Sequence, residues 1–198
     1  GRLPRVNITD LLVEVDNWTQ FSASLTQLNA PSRRDPDALK HLYTCLLAQA
    51  CNLDFQQISV STGLDYRRLK WFNTWHIRDE TLQAANRVLV DFHFHLPLSQ
   101  IWGGGILSSS DGQRFPAKGS IRSARAQPKY FGYQKGVTFY SWTSDQFSQY
   151  GSKPIPTTVR DSTYVLDEII NNETELSIVE HTTDTAGYTE LIFALFDL

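Results

Sequence analysis

The sequence predicts an α+β chain. A helical region, residues 1–100, precedes a strand-rich region, residues 101–198, whose elements run in α/β fashion as β-β-β-α-β-α. Three observations predict it. Apolar residues recur at spacings of three and four through the first hundred positions. Pro97 and the triplet Gly103-Gly104-Gly105 then interrupt that period and read as a hinge. After them come β-branched and aromatic runs such as Val137-Thr138-Phe139-Tyr140-Ser141-Trp142. With 198 residues, 41 % of them hydrophobic, the chain can bury a sizeable core.

The helices follow in order. Leu11, Leu12, Val15, Trp18, Phe21, Leu25 and Leu28 make one apolar stripe over residues 9–28, capped by Thr9 or Asp10. Residues 31–35 form a loop, and Asp35-Pro36 supplies an N-cap with a first-turn proline. Leu39, Leu42, Tyr43, Leu46 and Leu47 then mark a clear helix. A short helix over 54–60 stops at Ser61-Thr62-Gly63, and residues 66–76 are aromatic and basic. Segment 54–72 has the generic outline of a helix-turn-helix, and Trp71 and Trp75 of the aromatic-basic segment suit either a core or contact with DNA. Leu82, Ala85, Leu89 and Phe92 define a last helix of this region, over 79–92. His93-Phe94-His95 reads as strand-like alternation, without a third ligand or cysteine pair to make a zinc site.

In the second region, strands are expected at 106–110, 137–144, 154–159 and 176–183. A helix capped by Asp161 and carrying Val165, Leu166, Ile169 and Ile170 precedes the last strand. The closing stretch Glu190-Leu191-Ile192-Phe193-Ala194-Leu195-Phe196 is helix-like and ends without a stop residue or a basic last turn. The chain is therefore expected to be a piece of a longer one.

Net charge is −3, which argues against a globally basic nucleic-acid binder. The distribution is uneven. From Gly112 to Ser144 there is no acid, while Arg114, Lys118, Arg122, Arg125, Lys129 and Lys135 all fall there, with Tyr130 and Tyr133 among them. Such a run suits either a solvated surface hairpin or contact with a phosphate backbone. Cys45 and Cys51 lie too close within one helical segment to pair, and two free cysteines point to a reducing, cytosolic compartment. No apolar run approaches membrane-spanning length.

Asp111 and Asp184 are the candidate chemistry. Each is expected at the carboxyl end of a strand, and they are 73 residues apart. If the first and fourth strands are parallel neighbours, the two carboxylates meet, and their repulsion calls for a divalent cation. Mg²⁺, with Mn²⁺ as a substitute, prefers one or two carboxylates plus phosphate oxygens. The alternative reading makes both residues strand-end or helix-cap aspartates.

Two segments, Ser108-Ser109-Ser110-Asp111-Gly112-Gln113-Arg114-Phe115 and Glu180-His181-Thr182-Thr183-Asp184-Thr185-Ala186-Gly187-Tyr188-Thr189, resemble signature segments of the class II replicative transposases, the Tn-three family. Three further stretches resemble it in order: residues 12–18, 75–81 and 159–167. The resemblance implies a ribonuclease-H-like Asp-Asp-Glu domain that frees 3′-hydroxyls at transposon ends and joins them to target DNA. It makes Asp111 the first acid and Asp184 the second, with Gln113 and His181 as supporting polar groups. The third acid, a glutamate, would lie past residue 198; Glu190 is too close to Asp184 for that role. Also implied are a double-stranded DNA partner, a homodimer when full-length, and a bacterial cytoplasmic, nucleoid-associated location. A chain with two of three acids is expected to be inactive alone. The alternative is a non-catalytic DNA-binding or assembly module, or a decayed transposase.

Overall fold

A computed structural model describes residues 4–27, 37–117 and 121–196. The chain divides into two compact units, Gly1–Leu89 and Val90–Leu198.

The first unit is helical. Helix α1 (Ile8–Thr19) ends at Gln20, which takes a left-handed conformation with φ 57°, and a 3-10 turn (Phe21–Ser24) follows. The expected single helix over 9–28 is thus broken. The buried Asp16 side chain accepts from Ser22 N at 2.9 Å, which holds the corner. The same carboxylate accepts from the Tyr43 hydroxyl, and burial, reinforced by that bond, pushes the Tyr43 pKa up to about 12. Leu28, the 31–35 loop and the Asp35-Pro36 cap lie outside the described residues.

Helix α2 (Ala38–Ala50) precedes α3 (Phe55–Thr62) and α4 (Tyr66–His76). Asp54 caps α3 through Gln56 N at 2.6 Å, and Asp65 caps α4 through Arg68 N at 2.8 Å. Leu42, Cys45, Ile58, Leu69 and Phe72 from these three helices share one core. Helix α5 (Asp79–Phe94) starts in this unit. It carries His93 to its last turn, so His93-Phe94-His95 is not a strand.

The second unit is built on a mixed five-stranded sheet. After the single-turn α6 (Ser99–Trp102) come β1 (Leu107–Ala117), β2 (Arg125–Ala126), the one-turn α7 (Pro128–Phe131), β3 (Lys135–Ser144) and β4 (Gln149–Pro156). A 3-10 turn (Asp161–Thr163), the one-turn α8 (Asp167–Ile170), β5 (Glu180–Thr183) and α9 (Glu190–Phe196) complete it. Strand β3 is central. It pairs antiparallel with β1 along one side and with β2 and β4 along the other, and β1 pairs parallel with β5. The Gly103–Gly105 segment is tied down, since Gly105 N donates to Asp145 Oδ1 at 3.0 Å.

Four expectations need correction. Strand β1 does not stop at Ser110; β3 pairs with it from Ser108 to Ala117, so Asp111 lies mid-strand rather than at a strand end. The third strand ends at Pro156, because Thr157 has already entered a turn closed by Val159 N on Pro156 O at 3.0 Å. The strand expected over 176–183 is ladder-paired only from Glu180. The helix expected from Asp161 is a 3-10 turn plus one α turn. Its register is interrupted where the Trp142 indole Nε1 donates to Val165 O at 2.8 Å, taking the carbonyl that a continuous helix would give to Ile169.

One face of this sheet is covered. Tyr140 and Trp142 stand on it, ring centroids 4.8 Å apart and edge to face, with Tyr150, Ile155, Val165, Leu176 and Ile192 packed around them. The alternate residues face the other way. On that open face Asp111, Gln113 and Phe115 of β1 lie beside Phe139 and Ser141 of β3.

Candidate active site

Ser110 of β1 pairs with Thr183 of β5, so the next residues in register are Asp111 and Asp184. Parallel pairing thereby brings two acids from distant sequence to one end of the β1–β5 ladder. Both are exposed. Asp111 Oδ1 accepts from Gly112 N at 2.6 Å. Asp184 Oδ1 accepts from Ala186 N at 3.0 Å and Gly187 N at 3.1 Å, an Asx turn that fixes its carboxylate as the chain leaves the sheet.

A third carboxylate belongs to this electrostatic neighbourhood, and the sequence did not single it out. Asp161 is only 4 % exposed. It lies on the covered side beneath Gly112, where a Cβ would stand 2.9 Å from Asp161 Oδ2 and 3.0 Å from Thr138 Cγ2. Burial pushes its pKa up. Arg114, whose Nη2 lies 3.4 Å away, opposes this, while the charges of Asp184 and Asp111 add to it. The sequence assigned Asp161 only to a helix cap. Its one usable signal was membership of the 159–167 stretch.

Arg114 is held in place. Its guanidinium pairs with Asp161 and lies 4.5 Å from the centroid of the Tyr130 ring. Arg122, Arg125, Lys129 and Lys135 are exposed. Arg125 Nη1 donates to the carbonyls of Arg122 at 2.9 Å and Ala124 at 3.0 Å, and Lys129 sits 5.2 Å from the Tyr130 centroid. Lys118 lies outside the described residues. Gln113 lines a shallow cavity of about 310 Å³ on the open face, with Phe115, Phe139, Ser141, Gln149 and Ser152.

His181 faces the covered side. Its Nδ1 is 2.6 Å from Ser108 Oγ and its Nε2 is 2.8 Å from Ser110 Oγ, and the ring stacks on Phe196 at 6.0 Å. Burial pushes its pKa down from 6.5 to about 4. The unfolded chain binds this proton more readily than the folded one, so the stability that His181 contributes is complete above about pH 6.5 and is lost as pH falls toward 4. Thermal melts stepped across that window should show the midpoint falling with pH. The His181→Asn variant should show a shallower decline.

Among the described residues, no group of three or more His, Cys, Asp and Glu is disposed to hold a metal ion. The histidines of the 93–95 segment are engaged elsewhere: His93 with Ser99 Oγ at 3.1 Å and Ser148 Oγ at 2.6 Å, and His95 with Glu175 at 2.6 Å. Cys45 and Cys51 are free thiols. Among the described residues, no helix is long and apolar enough to cross a membrane.

Residues 10–198 match the family model described as the Tn3 transposase DDE domain. The chain is 43 % identical over 198 residues to the transposase for transposon Tn501 of Pseudomonas aeruginosa, covering 99 % of this chain and 20 % of that protein. It is 42 % identical over 198 residues to the transposase for transposon Tn21 of Escherichia coli, again over 99 % and 20 %. To the transposase for transposon gamma-delta of Escherichia coli (strain K12) it is 38 % identical over 196 residues, 98 % of this chain and 20 % of that one. The chain therefore spans about one fifth of the length of the curated relatives it matches. With the family model matched over nearly its whole length, the chain belongs to the Tn3 transposase DDE domain family.

Proposed function

We propose that this chain is the segment of a DNA transposase that carries the first two acids of an Asp-Asp-Glu site on a ribonuclease-H-like sheet. The whole protein, on this reading, cleaves transposon ends to 3′-hydroxyls and transfers them to target DNA. The carrying observation is the parallel pairing of β1 with β5, which sets Asp111 and Asp184 at adjoining register.

The donor chemistry suits a hard divalent cation. Two exposed carboxylates meet at the end of one ladder, and their charges together help push Asp161 up. Asp111 and Asp184 would hold Mg²⁺, or Mn²⁺ in its place. When bound, such an ion activates an attacking oxygen and stabilises a leaving one in an in-line displacement. The protein's own work is placement. Asp111 is fixed by a strand paired on both sides up to Ser110, and Asp184 by the N–H groups of its turn. Gln113 projects beside Asp111 on the open face and orients polar groups there.

Arg122, Arg125, Lys129 and Lys135, together with Lys118, supply phosphate contacts to double-stranded DNA. Arg114 acts through its stack on Tyr130 as much as through charge. His181, with both nitrogens on serines of β1, braces the strand that bears Asp111 rather than touching a phosphate. The third acid, a glutamate, comes from another part of the longer protein, so this segment alone does not cut. The full-length protein works as a homodimer on DNA in the bacterial cytoplasm, at the nucleoid.

Asp184→Asn in the full-length transposase tests the assignment. End binding should persist, and Mg²⁺-dependent nicking at the transposon end should fall by about three orders of magnitude. Cleavage at the parental rate would remove Asp184 from the site. Binding with no Mg²⁺-dependent nicking even in the parent would favour an assembly module instead.

A further inference from the structure

Helices α3 and α4 have the outline of a helix-turn-helix. The turn is three residues, Gly63-Leu64-Asp65. Gly63 closes α3 with φ +73°, a left-handed conformation that disfavours any residue with a Cβ. Leu64, partly buried, turns back onto the core, and Asp65 caps α4 at once. Ser59 Oγ donates to Leu64 O at 2.6 Å and Thr62 Oγ1 to Ile58 O at 2.6 Å, which fixes the angle of the turn. Ile58 from the first helix and Leu69 and Phe72 from the second pack inward with α2 as the third helix. Cys45 Sγ of α2 donates to Leu69 O at 3.3 Å, and His41 of α2 stacks on Phe72 at 4.8 Å.

With Leu69 and Phe72 turned inward, α4 presents Arg67, Arg68, Lys70, Trp71, Thr74 and Trp75 outward. No acid occurs from Tyr66 to Arg78. Asp65, just before this run, is spent on the cap of α4, and Asp79 and Glu80, just after it, lie in the first turn of α5. Trp71 and Trp75 are 40 % and 43 % exposed, Trp71 standing edge-on to Phe72 and His76 with its outer side open to a ligand. A basic, acid-free helix with its first turn exposed is shaped and charged for the major groove, and α3 would cross the adjacent backbone with Gln56 and Gln57 at its amino end.

We infer that α4 is a second DNA-binding element, inserted in the major groove of duplex DNA, separate from the basic segment that follows Asp111. Cations at Arg67, Arg68 and Lys70 supply the phosphate and base-edge contacts, with Trp71 and Trp75 against sugar and backbone. The inference does not rest on the metal-site assignment, because this contact needs no metal.

The test uses the 198-residue chain, a labelled mixed-sequence duplex of about 30 bp, and EDTA throughout, across about 50 to 200 mM salt. In one background Lys118, Arg122, Arg125, Lys129 and Lys135 are all changed to Gln, which removes the cations assigned above to phosphate contact. This background should still bind duplex in a salt-dependent way. Adding Arg67→Gln, Arg68→Gln and Lys70→Gln should weaken binding about tenfold or more and flatten the slope of log K against log salt by roughly two to three. Circular dichroism should be unchanged, since all three side chains are exposed. The inference is overturned if the background variant no longer binds, if the three α4 changes leave affinity and slope as they were, or if a single strand of equal length competes as well as duplex.

Discussion

Asp111→Cys in the full-length transposase is expected to abolish Mg²⁺-dependent end cleavage and to regain part of it in Mn²⁺. Removing a carboxylate that holds a divalent cation forfeits several kcal/mol of charge stabilisation, about a thousandfold or more in rate. The strand should survive the change. Asp111 is exposed, and β1 keeps its backbone pairing with β3 on either side of it, so stability should move by no more than about 0.5 kcal/mol. A thiolate is a poor ligand for Mg²⁺ and a better one for a softer ion, so a change in metal preference separates direct ligation from a general loss of charge. Asp111→Asn, lacking the thiolate, should be inactive in both metals. Equal loss for the Cys variant in both metals, with end binding intact, would mean that Asp111 positions DNA rather than cation.

The second large effect concerns stability. Trp142 is fully buried on the covered face, packed edge to face on Tyr140, with its indole N–H on Val165 O. Trp142→Ala should cost about 3–5 kcal/mol through cavity formation. A further 1–3 kcal/mol, roughly, comes from the carbonyl left without its donor. Against a typical total of about 5–15 kcal/mol, the second unit would be left largely unfolded at ordinary temperature. Urea titration followed by far-UV circular dichroism provides the readout, because it does not depend on the indole that both variants remove. Trp142→Phe keeps a ring and loses only the donor, and should fall between parent and Ala. A parental urea midpoint for the Ala variant would show that the unit is not organised around this indole.

The coarse fold, helices followed by a mixed sheet, was legible because both regions carry strong local patterns. Helices α2, α4 and α5 show apolar residues at helical spacing, α4 with a cap at Asp65 and α5 with an acidic first turn, and β3 is rich in β-branched and aromatic residues. What escaped was set by partners distant in sequence. Nothing in Gln113-Arg114-Phe115-Pro116 alternates as a strand should, and only the length of β3 draws those residues into β1. The stretch from Asp161 to Ile170 has helical spacing, but a tryptophan nineteen residues upstream of its first residue takes a carbonyl from its middle. Strand β2 and helix α7 are too short to leave a periodic trace. At the site, Asp111 and Asp184 stood out as residue types at strand boundaries, and adjoining register is what the sheet supplies. Asp161 could not be distinguished from any helix cap, since its burial depends on Gly112 and Arg114 folding over it. His181 was expected as a supporting polar group near Asp184, and the parity of β5 turns its ring to the covered side, onto Ser108 and Ser110.

The absence of a side chain at Gly112 has an electrical meaning as well as a steric one. A sheet normally separates what happens on its two faces by the thickness of two layers of side chains. At Gly112 no side chain intervenes between the strand that bears the exposed Asp111 and the buried Asp161 carboxylate below, which pairs with the half-buried Arg114. Positive charge arriving on the open face is therefore felt underneath, and Arg114 carries that influence outward to Tyr130 and the start of the basic segment. The charges of Asp111 and Asp184 are felt by Asp161 across the sheet at Gly112, the residue that adjoins Asp111.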